Sequence, residues 1–389
     1  MTMRSSALTW SAAWVSAVVL SFACATVVTG PQRTVPPAAD VESVIYLIGD
    51  AGAPDPAGEP VLAALTDDLR GAVAPATVVF LGDNLYPAGL SGSDAPDRRE
   101  GERRLRAQVE AALDGGAIST LLIPGNHDWN FAGDDGYARI LEQEKFVESL
   151  DDGSVQFLPD AACPGPAVRD VGSRLRLILL DTEWWLHDAG LRHDDPSCAI
   201  RGELELTDSI KTLLAGAAGR SVVVLGHHPL VSGGTHGGYL SLRQHLFPLT
   251  EVKSWLWLPL PVLGSAYPLA RNLGISNQDL SGARNRHMRH VLREAFASAP
   301  PLLYAAGHEH SLQVHEGVGS RYHVVSGTGI YGHTSNARWT DGTLYASGSR
   351  SGYMKLEVQR DGRVRLAVVA VDAGAQRDVP FSMFLEHDP

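Results

Sequence analysis

Five short polar clusters, each opening with glycine and each following an apolar run, carry residue types suited to holding cations. They read Gly49-Asp50-Ala51-Gly52, Gly82-Asp83-Asn84-Leu85-Tyr86, Gly125-Asn126-His127-Asp128, Gly226-His227-His228-Pro229 and Gly307-His308-Glu309-His310. Carboxylate oxygens and neutral imidazole nitrogens are the donors that borderline and hard metal ions take, and one carboxylate can bridge two cations with its two oxygens. Asp83 is the expected bridge. Glycine ahead of each donor permits a tight turn and a close backbone approach. In His308-Glu309-His310 an extended backbone sends both imidazoles one way and Glu309 the other. A single Gly-Asp is ordinarily a turn, and a single buried histidine ordinarily a satisfied core residue. Five such clusters in series are poorly explained by either.

The elements that must position them are legible as apolar runs at 44–48, 77–81, 120–123, 175–180, 222–225 and 302–305, each short enough for a buried strand. Helix-like stretches at 61–69, 103–113, 137–150 and 286–296 lie between several of them, and the alternation indicates an α/β fold. In such sheets the carboxyl ends of the strands bring distant residues into one crevice, where all five clusters can converge. The Arg-rich run at 98–106 is interspersed with acids and reads as a solvated helix face. No internal repeat is apparent, so a solenoid is not expected.

With 389 residues, 44% hydrophobic and 20% charged, the chain has the composition of an ordinary folded protein, large enough for one α/β domain with insertions. Its formal charge of -12 disfavours nucleic acid as a stable partner, although a metal pair can still create a local positive site. Arg4 precedes an uncharged stretch at 5–32 with an apolar centre, which reads as an export signal within residues 1–25. Cleavage after Ala23 would leave Cys24 first, as in a bacterial lipoprotein; cleavage after Ala25 and retention as a membrane anchor are the alternatives. The expected location is therefore periplasmic, lipid-anchored or secreted. Residues 26–40, rich in proline, read as a linker, and 41–389 as the catalytic domain. Cys163 and Cys198 either pair in an oxidising compartment or remain loop thiols.

Over about 45–325 the ordered clusters resemble the calcineurin-like metallophosphoesterases, and more closely the purple acid phosphatases, including the tartrate-resistant group. That set reads GDxG, GDxxY, GNH followed by Asp or Glu, VxxH and GHxH, with Val224 and His227 supplying the fourth motif here. Most other branches place histidine two residues after the first aspartate, where this chain has Gly52, and this chain has Tyr86 three residues after Asp83. The resemblance implies a four-layer αββα sandwich of two mixed β-sheets flanked by helices. It implies one metal held by Asp50, Asp83, Tyr86 and His310, and a second by Asp83, Asn126, His227 and His308. Tyrosinate is a hard anionic donor suited to Fe(III), with Fe(II), Zn or Mn in the second position. It further implies that His127 and His236 contact the substrate phosphate or protonate the leaving group; His228, directly after the His227 ligand, is expected to face away if the strand geometry continues.

Two cations a few ångströms apart lower the pKa of a bound water and clamp attacking and leaving oxygens, so the expected reaction is phosphomonoester hydrolysis by a metal-held hydroxide. A phosphodiesterase or nucleotide hydrolase would use the same pair, and a non-catalytic module on this fold is the alternative of a different class. An insertion at about 240–285 holds Trp255-Leu256-Trp257-Leu258-Pro259-Leu260-Pro261. Its prolines exclude a long regular helix. The segment is expected to pack as extra core, with an apolar lid or a membrane-interface element as alternatives.

Overall fold

The computed structural model describes residues 33–151, 153–187, 197–251, 255–260 and 263–386. The expected export segment, with Cys24 and both cleavage positions, lies outside the described residues.

In chain order the strands are Val41–Ile48 (β1), Ala76–Phe80 (β2), Ser119–Leu122 (β3), Val155–Phe157 (β4), Ala167–Val171 (β5), Leu175–Leu179 (β6) and Ser221–Leu225 (β7). Leu303–Ala306 (β8), Leu312–Glu316 (β9), Tyr322–Ser326 (β10), Thr343–Ser347 (β11), Ser351–Gln359 (β12), Val364–Val371 (β13) and Arg377–Leu385 (β14) follow. One sheet has the order β14-β13-β12-β1-β2-β3-β4 and the other β11-β9-β10-β8-β7-β6-β5. The first sheet is parallel from β1 to its β4 edge and antiparallel through β12, β13 and β14, whereas the second is parallel through β6, β7, β8 and β10 and antiparallel on both flanks.

Burial on both faces explains the uninterrupted apolar runs. Successive side chains of a strand point to opposite faces, so Ile45 and Leu47 enter the space between the sheets, where they meet Leu177, Val223 and Ala305. Val44, Tyr46 and Ile48 turn outward and pack under the helices Pro60–Arg70, Arg98–Asp114 and Gly136–Glu148. On the other sheet Ile178, Val224 and Tyr304 do the same beneath Glu203–Ala215 and Ala283–Phe296. The result is the expected four-layer sandwich of two mixed sheets flanked by helices.

Several local readings change. The helix expected at 103–113 begins at Arg98, and its basic run is not simply solvated: Arg98 is 12% exposed in its side chain and pairs with Glu102 at 2.7 Å. The helix Glu203–Ala215, which buries Leu206, Thr207, Ile210 and Leu214, was not anticipated. Residues 33–40 are not a free linker. Arg33 bridges Phe381 of β14, Val35 N–H donates to Ser382 Oγ at 2.9 Å and Arg365 donates to the Val35 carbonyl at 3.1 Å. This strap occupies backbone groups that the edge strand β14 would otherwise leave open.

The insertion also departs from expectation. Among the described residues it holds the short helices Leu242–Leu246 and Ala266–Asn272, with 3₁₀ turns between them. Trp255, Trp257 and Leu258 are 72%, 55% and 54% exposed, so the segment is not extra core. Trp257 instead packs within the insertion, against Phe247 at 5.3 Å between ring centres and under the Arg243 guanidinium at 4.9 Å. The open alternative for the cysteines resolves as a Cys163–Cys198 disulfide, with Cα atoms 5.6 Å apart.

Candidate metal centre

The donors stand immediately beyond β1, β2, β3, β7 and β8, at one end of the sandwich. Asp50, Asp83 and His308 each adopt left-handed backbone conformations, with φ of 59°, 52° and 67°. Such angles are unfavourable for side chains with a Cβ and cluster at functional sites. Of the glycines before them, Gly82 is itself left-handed, with φ of 88°, whereas Gly49 and Gly307 act through close approach. A Cβ on Gly307 would lie 2.6 Å from Asp50 Oδ2, and one on Gly125 2.4 Å from the Asp83 backbone nitrogen.

One group of donors gathers around the Tyr86 hydroxyl. It lies 3.1 Å from Asp50 Oδ1, 3.3 Å from Asp83 Oδ2 and 3.2 Å from His310 Nε2, while His310 Nε2 is 3.3 Å from Asp50 Oδ1. The other Asp50 oxygen is taken by the His308 N–H at 2.8 Å, which turns Oδ1 toward the tyrosine. Burial, and then the Asp50 and Asp83 carboxylates, hold the Tyr86 phenol well above its ordinary pKa. A cation among these oxygens reverses the sign of that field and favours the phenolate.

The second group has too few protons to be a hydrogen-bond network. His227 Nδ1–H donates to the Leu81 carbonyl at 2.8 Å, and His308 Nε2–H to the Gln278 carbonyl at 2.9 Å. A carbonyl only accepts, so the neutral rings face each other with lone pairs: His227 Nε2 and His308 Nδ1 are 3.2 Å apart. Asn126 Oδ1 lies 3.0 and 2.9 Å from these nitrogens, and Asp83 Oδ1 lies 3.4 Å from His227 Nε2. Four electron-rich atoms converging without a proton between them are unfavourable unless a cation sits in their midst. Without one, the pocket takes up a proton: His227, which burial alone would depress, is raised to about 10 by Asp83. Asp83 is itself held low, since His227 and His127 outweigh its burial. Asp83 turns Oδ2 to the first group and Oδ1 to the second, as a bridging carboxylate requires. The residues present thus fit two cations.

Around these donors lies a layer that fixes their orientation. Asp128 is fully buried and accepts from the backbone N–H groups of Asn84, Leu85 and Gly125 at 3.1, 3.0 and 2.8 Å, which locks the loops after β2 and β3 together. His228 lies beside His227 and His308, but its Nδ1 meets Thr182 Oγ1 at 2.9 Å and its Nε2 meets Gln278 Oε1 at 2.8 Å. Both of its ring nitrogens are thus engaged, by Thr182 and Gln278. Glu309 also points elsewhere, accepting from Ser232 Oγ at 3.0 Å, the His236 N–H at 2.8 Å and Ser335 Oγ at 2.7 Å.

His127 and His236 reach the centre from opposite sides. The His127 ring lies edge-on to Tyr86 at 4.4 Å between centres, with Nδ1–H on the Pro87 carbonyl at 2.7 Å. The His236 ring lies 4.0 Å from that of His308, and its Nδ1 is 2.9 Å from Asp279 Oδ1. Arg271 holds the same carboxylate, with Nε 2.8 Å from Oδ2. A cleft of about 600 Å³ opens beside His310 and His236.

All nine sequence-derived site residues are therefore brought together. His333, whose ring is 3.9 Å from that of His310 and 5.6 Å from that of Tyr86, was missed, as were Gln278, Asp279 and Glu183. Asp181-Thr182-Glu183 carried a usable signal, since it follows the 175–180 run as the other clusters follow theirs. Gln278 and Asp279 carried none, lying in the insertion far from any motif.

The family model for calcineurin-like phosphoesterases matches residues 43–257, more than half of the chain. No curated protein matches it. Among solved structures the chain is similar to one described as "GAP50 the anchor in the inner membrane complex of Plasmodium", at 17% identity and a TM-score of 0.53, with 90% of each chain covered. It is also similar to a purple acid phosphatase from yellow lupin (Lupinus luteus) seeds, at 13% identity and a TM-score of 0.52, with 91% of this chain and 54% of that one covered. At such identities the likeness is one of fold. The matched family span contains Asp50, Asp83, Tyr86, Asn126 and His227, and the Asp50, Asp83 and His227 donor atoms lie within 4.8 Å of one another. On these grounds the chain belongs to the calcineurin-like phosphoesterase family and is a metal-dependent phosphoesterase.

Proposed function

We propose that the chain is an exported phosphomonoesterase of the purple acid phosphatase type. Asp50, Asp83, Tyr86 and His310 would hold one ion, and Asp83, Asn126, His227 and His308 the other. The observation that carries this reading is Asp83, whose two oxygens serve two separate donor sets, one of them centred on a tyrosine hydroxyl. A phenolate among carboxylates suits Fe(III), and the mixed oxygen and imidazole set suits Fe(II), Zn or Mn. Bound there, the ions supply Lewis acidity toward phosphoryl oxygens and acidify water for attack on phosphorus.

The chain's own side chains supply the rest. His127 Nδ1–H is committed to the Pro87 carbonyl, so Nε2 is the atom available to a phosphoryl oxygen or to a departing alkoxide. Asp279 likewise engages Nδ1 of His236 and leaves its Nε2 available. Phosphoryl transfer depends chiefly on positioning and charge stabilisation, which is what these fixed rings provide. The Cys163–Cys198 bridge supports export, since disulfides persist in oxidising compartments. Attachment through Cys24 and release after Ala25 are then distinguished by the mass of the mature amino terminus.

This fold also serves proteins described as anchors, so the fold alone does not carry the activity. The intact donor set does. A diesterase or nucleotide hydrolase is the second reading, favoured by a cleft larger than a phosphoryl group needs. Metal analysis of the native protein, combined with turnover of monoesters, diesters and anhydrides, tests both. Two ions per chain and preferential monoester turnover are expected; a metal-free native protein, or one inert toward all three classes, defeats the proposal.

A further inference from the structure

The insertion does more than rim the metal centre. Its Ser241, Arg243, Gln244 and Arg271 line the cleft of about 600 Å³ together with His236, His310 and His333. The two guanidinium groups there are not equivalent. Arg271 is 11% exposed and neutralised by Asp279, which it grips with both Nε and Nη2. Arg243 has no carboxylate partner among the described residues. Its guanidinium lies over the Trp257 indole at 4.9 Å. Stacking of this kind fixes the plane of an arginine and leaves its edge donors unused. Glu309, also in the cleft, does not compensate Arg243, because its oxygens are spent on Ser232, Ser335 and the His236 N–H.

An uncompensated, oriented cation beside a phosphate-ester centre, in a chain of net charge -12, is a local focus for anions. A planar guanidinium presents paired N–H donors that match a carboxylate or a phosphate. We propose that the cleft selects phosphate esters carrying a second anionic group on the leaving-group side, and that Arg243, held by Trp257, is the specificity-determining residue that binds it. This rests on the reading of the centre as a phosphate-ester hydrolase. Exposure of Trp257 then has a purpose: the indole is the platform for a binding arginine, not part of a core.

The test uses metal-loaded full-length protein and two measurements. Binding is followed by calorimetry with alkylphosphonates of graded length ending in a methyl, a carboxylate or a second phosphonate, none of which can be hydrolysed. Turnover is followed with aryl phosphates that do or do not carry a carboxylate. Wild type is expected to favour the doubly anionic member in both measurements, and Arg243→Ala to lower that preference roughly ten- to a hundredfold, the range for a hydrogen bond between charged groups. Arg243→Lys should retain part of it, and Trp257→Ala should fall between. The carboxylate and phosphonate arms show which second anion is preferred. Equal preference in wild type and Arg243→Ala, or equal loss for neutral and anionic members, overturns the proposal. Preference in binding without any turnover supports the cleft assignment while overturning the hydrolytic function, so the two failures are distinguishable.

Discussion

Asp83 and Tyr86 separate two consequences of losing a donor. Asp83 serves both donor sets, so Asp83→Asn is expected to abolish both bound ions together with turnover, as read by metal analysis of purified protein. Retention of one full equivalent would show that the sets are independent. Tyr86 serves one set only. Tyr86→Phe should remove the visible absorption that a tyrosinate-to-Fe(III) transition produces, while leaving the ion held by Asn126, His227 and His308. An unchanged spectrum in an iron-loaded variant would mean that the phenol is not a ligand. Asp83→Asn also removes the charge that raises His227, so in the metal-free protein the His227 imidazole should titrate below its present value of about 10.

Loops at the strand ends carry the donors, and the elements beneath them decide how firmly they are held. The helix Arg98–Asp114 does this for Tyr86: Arg104 Nη1 donates to the Tyr86 carbonyl at 2.8 Å while Nε pairs with Glu100 at 2.7 Å. Arg104→Ala should weaken retention of the ion beside Tyr86 more than overall stability. A surface-type pair contributes at most about 1 kcal/mol, whereas the loop loses its fastening. Metal dissociation rates, compared with thermal melts of the same variant, separate these effects; parallel losses would show a general weakening instead. The sequence showed this helix as an Arg-rich run whose charges looked solvated, because i,i+4 acids accompany them. Only the fold brings the Tyr86 loop within reach of Arg104.

At the scale of the whole molecule, two features govern stability. The Cys163–Cys198 bridge closes a sequence separation of 35 residues between the crossover after β4 and the helix Glu203–Ala215. Cys163→Ser is expected to cost about 3–4 kcal/mol if the bridge acts mainly by limiting the unfolded chain. Denaturant melts of oxidised wild type and the variant check it, and equal midpoints would rule that role out. The second feature is acid lability. His315 and His323 are buried at 0% and 1% exposure, and burial lowers them to about 4 and about 3. Their folded pKa values lie below the unfolded value of about 6.5, so the unfolded chain binds more protons. Their stabilising contribution is complete above about pH 6.5 and is lost as pH falls toward 4. Each imidazole contributes a slope of roughly 1.4 kcal/mol per pH unit in that window. His315→Gln should flatten the pH dependence of unfolding of the metal-free protein there; an unaltered slope would refute the account.

What the sequence by itself determined was local: which residue types follow which apolar runs, and in what order. A buried parallel strand must be apolar on both faces, so the six central runs announced themselves, and the donors directly after them needed no further information. The alternation of strand and helix then indicated an α/β fold, and the resemblance carried by the motifs implied its four layers. What only the tertiary structure decided was everything set by contacts between distant segments. Residues 33–40 became a strap because β14 offered an open edge, and Cys163 met Cys198 because the crossover brings them together. His333, Gln278 and Asp279 join the centre from loops with no motif of their own, since a side chain can support a ligand from any segment that passes nearby. The insertion's tryptophans stayed outside the core for a related reason: the sandwich was already filled by its own strands and helices, and Trp257 found its partners in Phe247 and Arg243 instead.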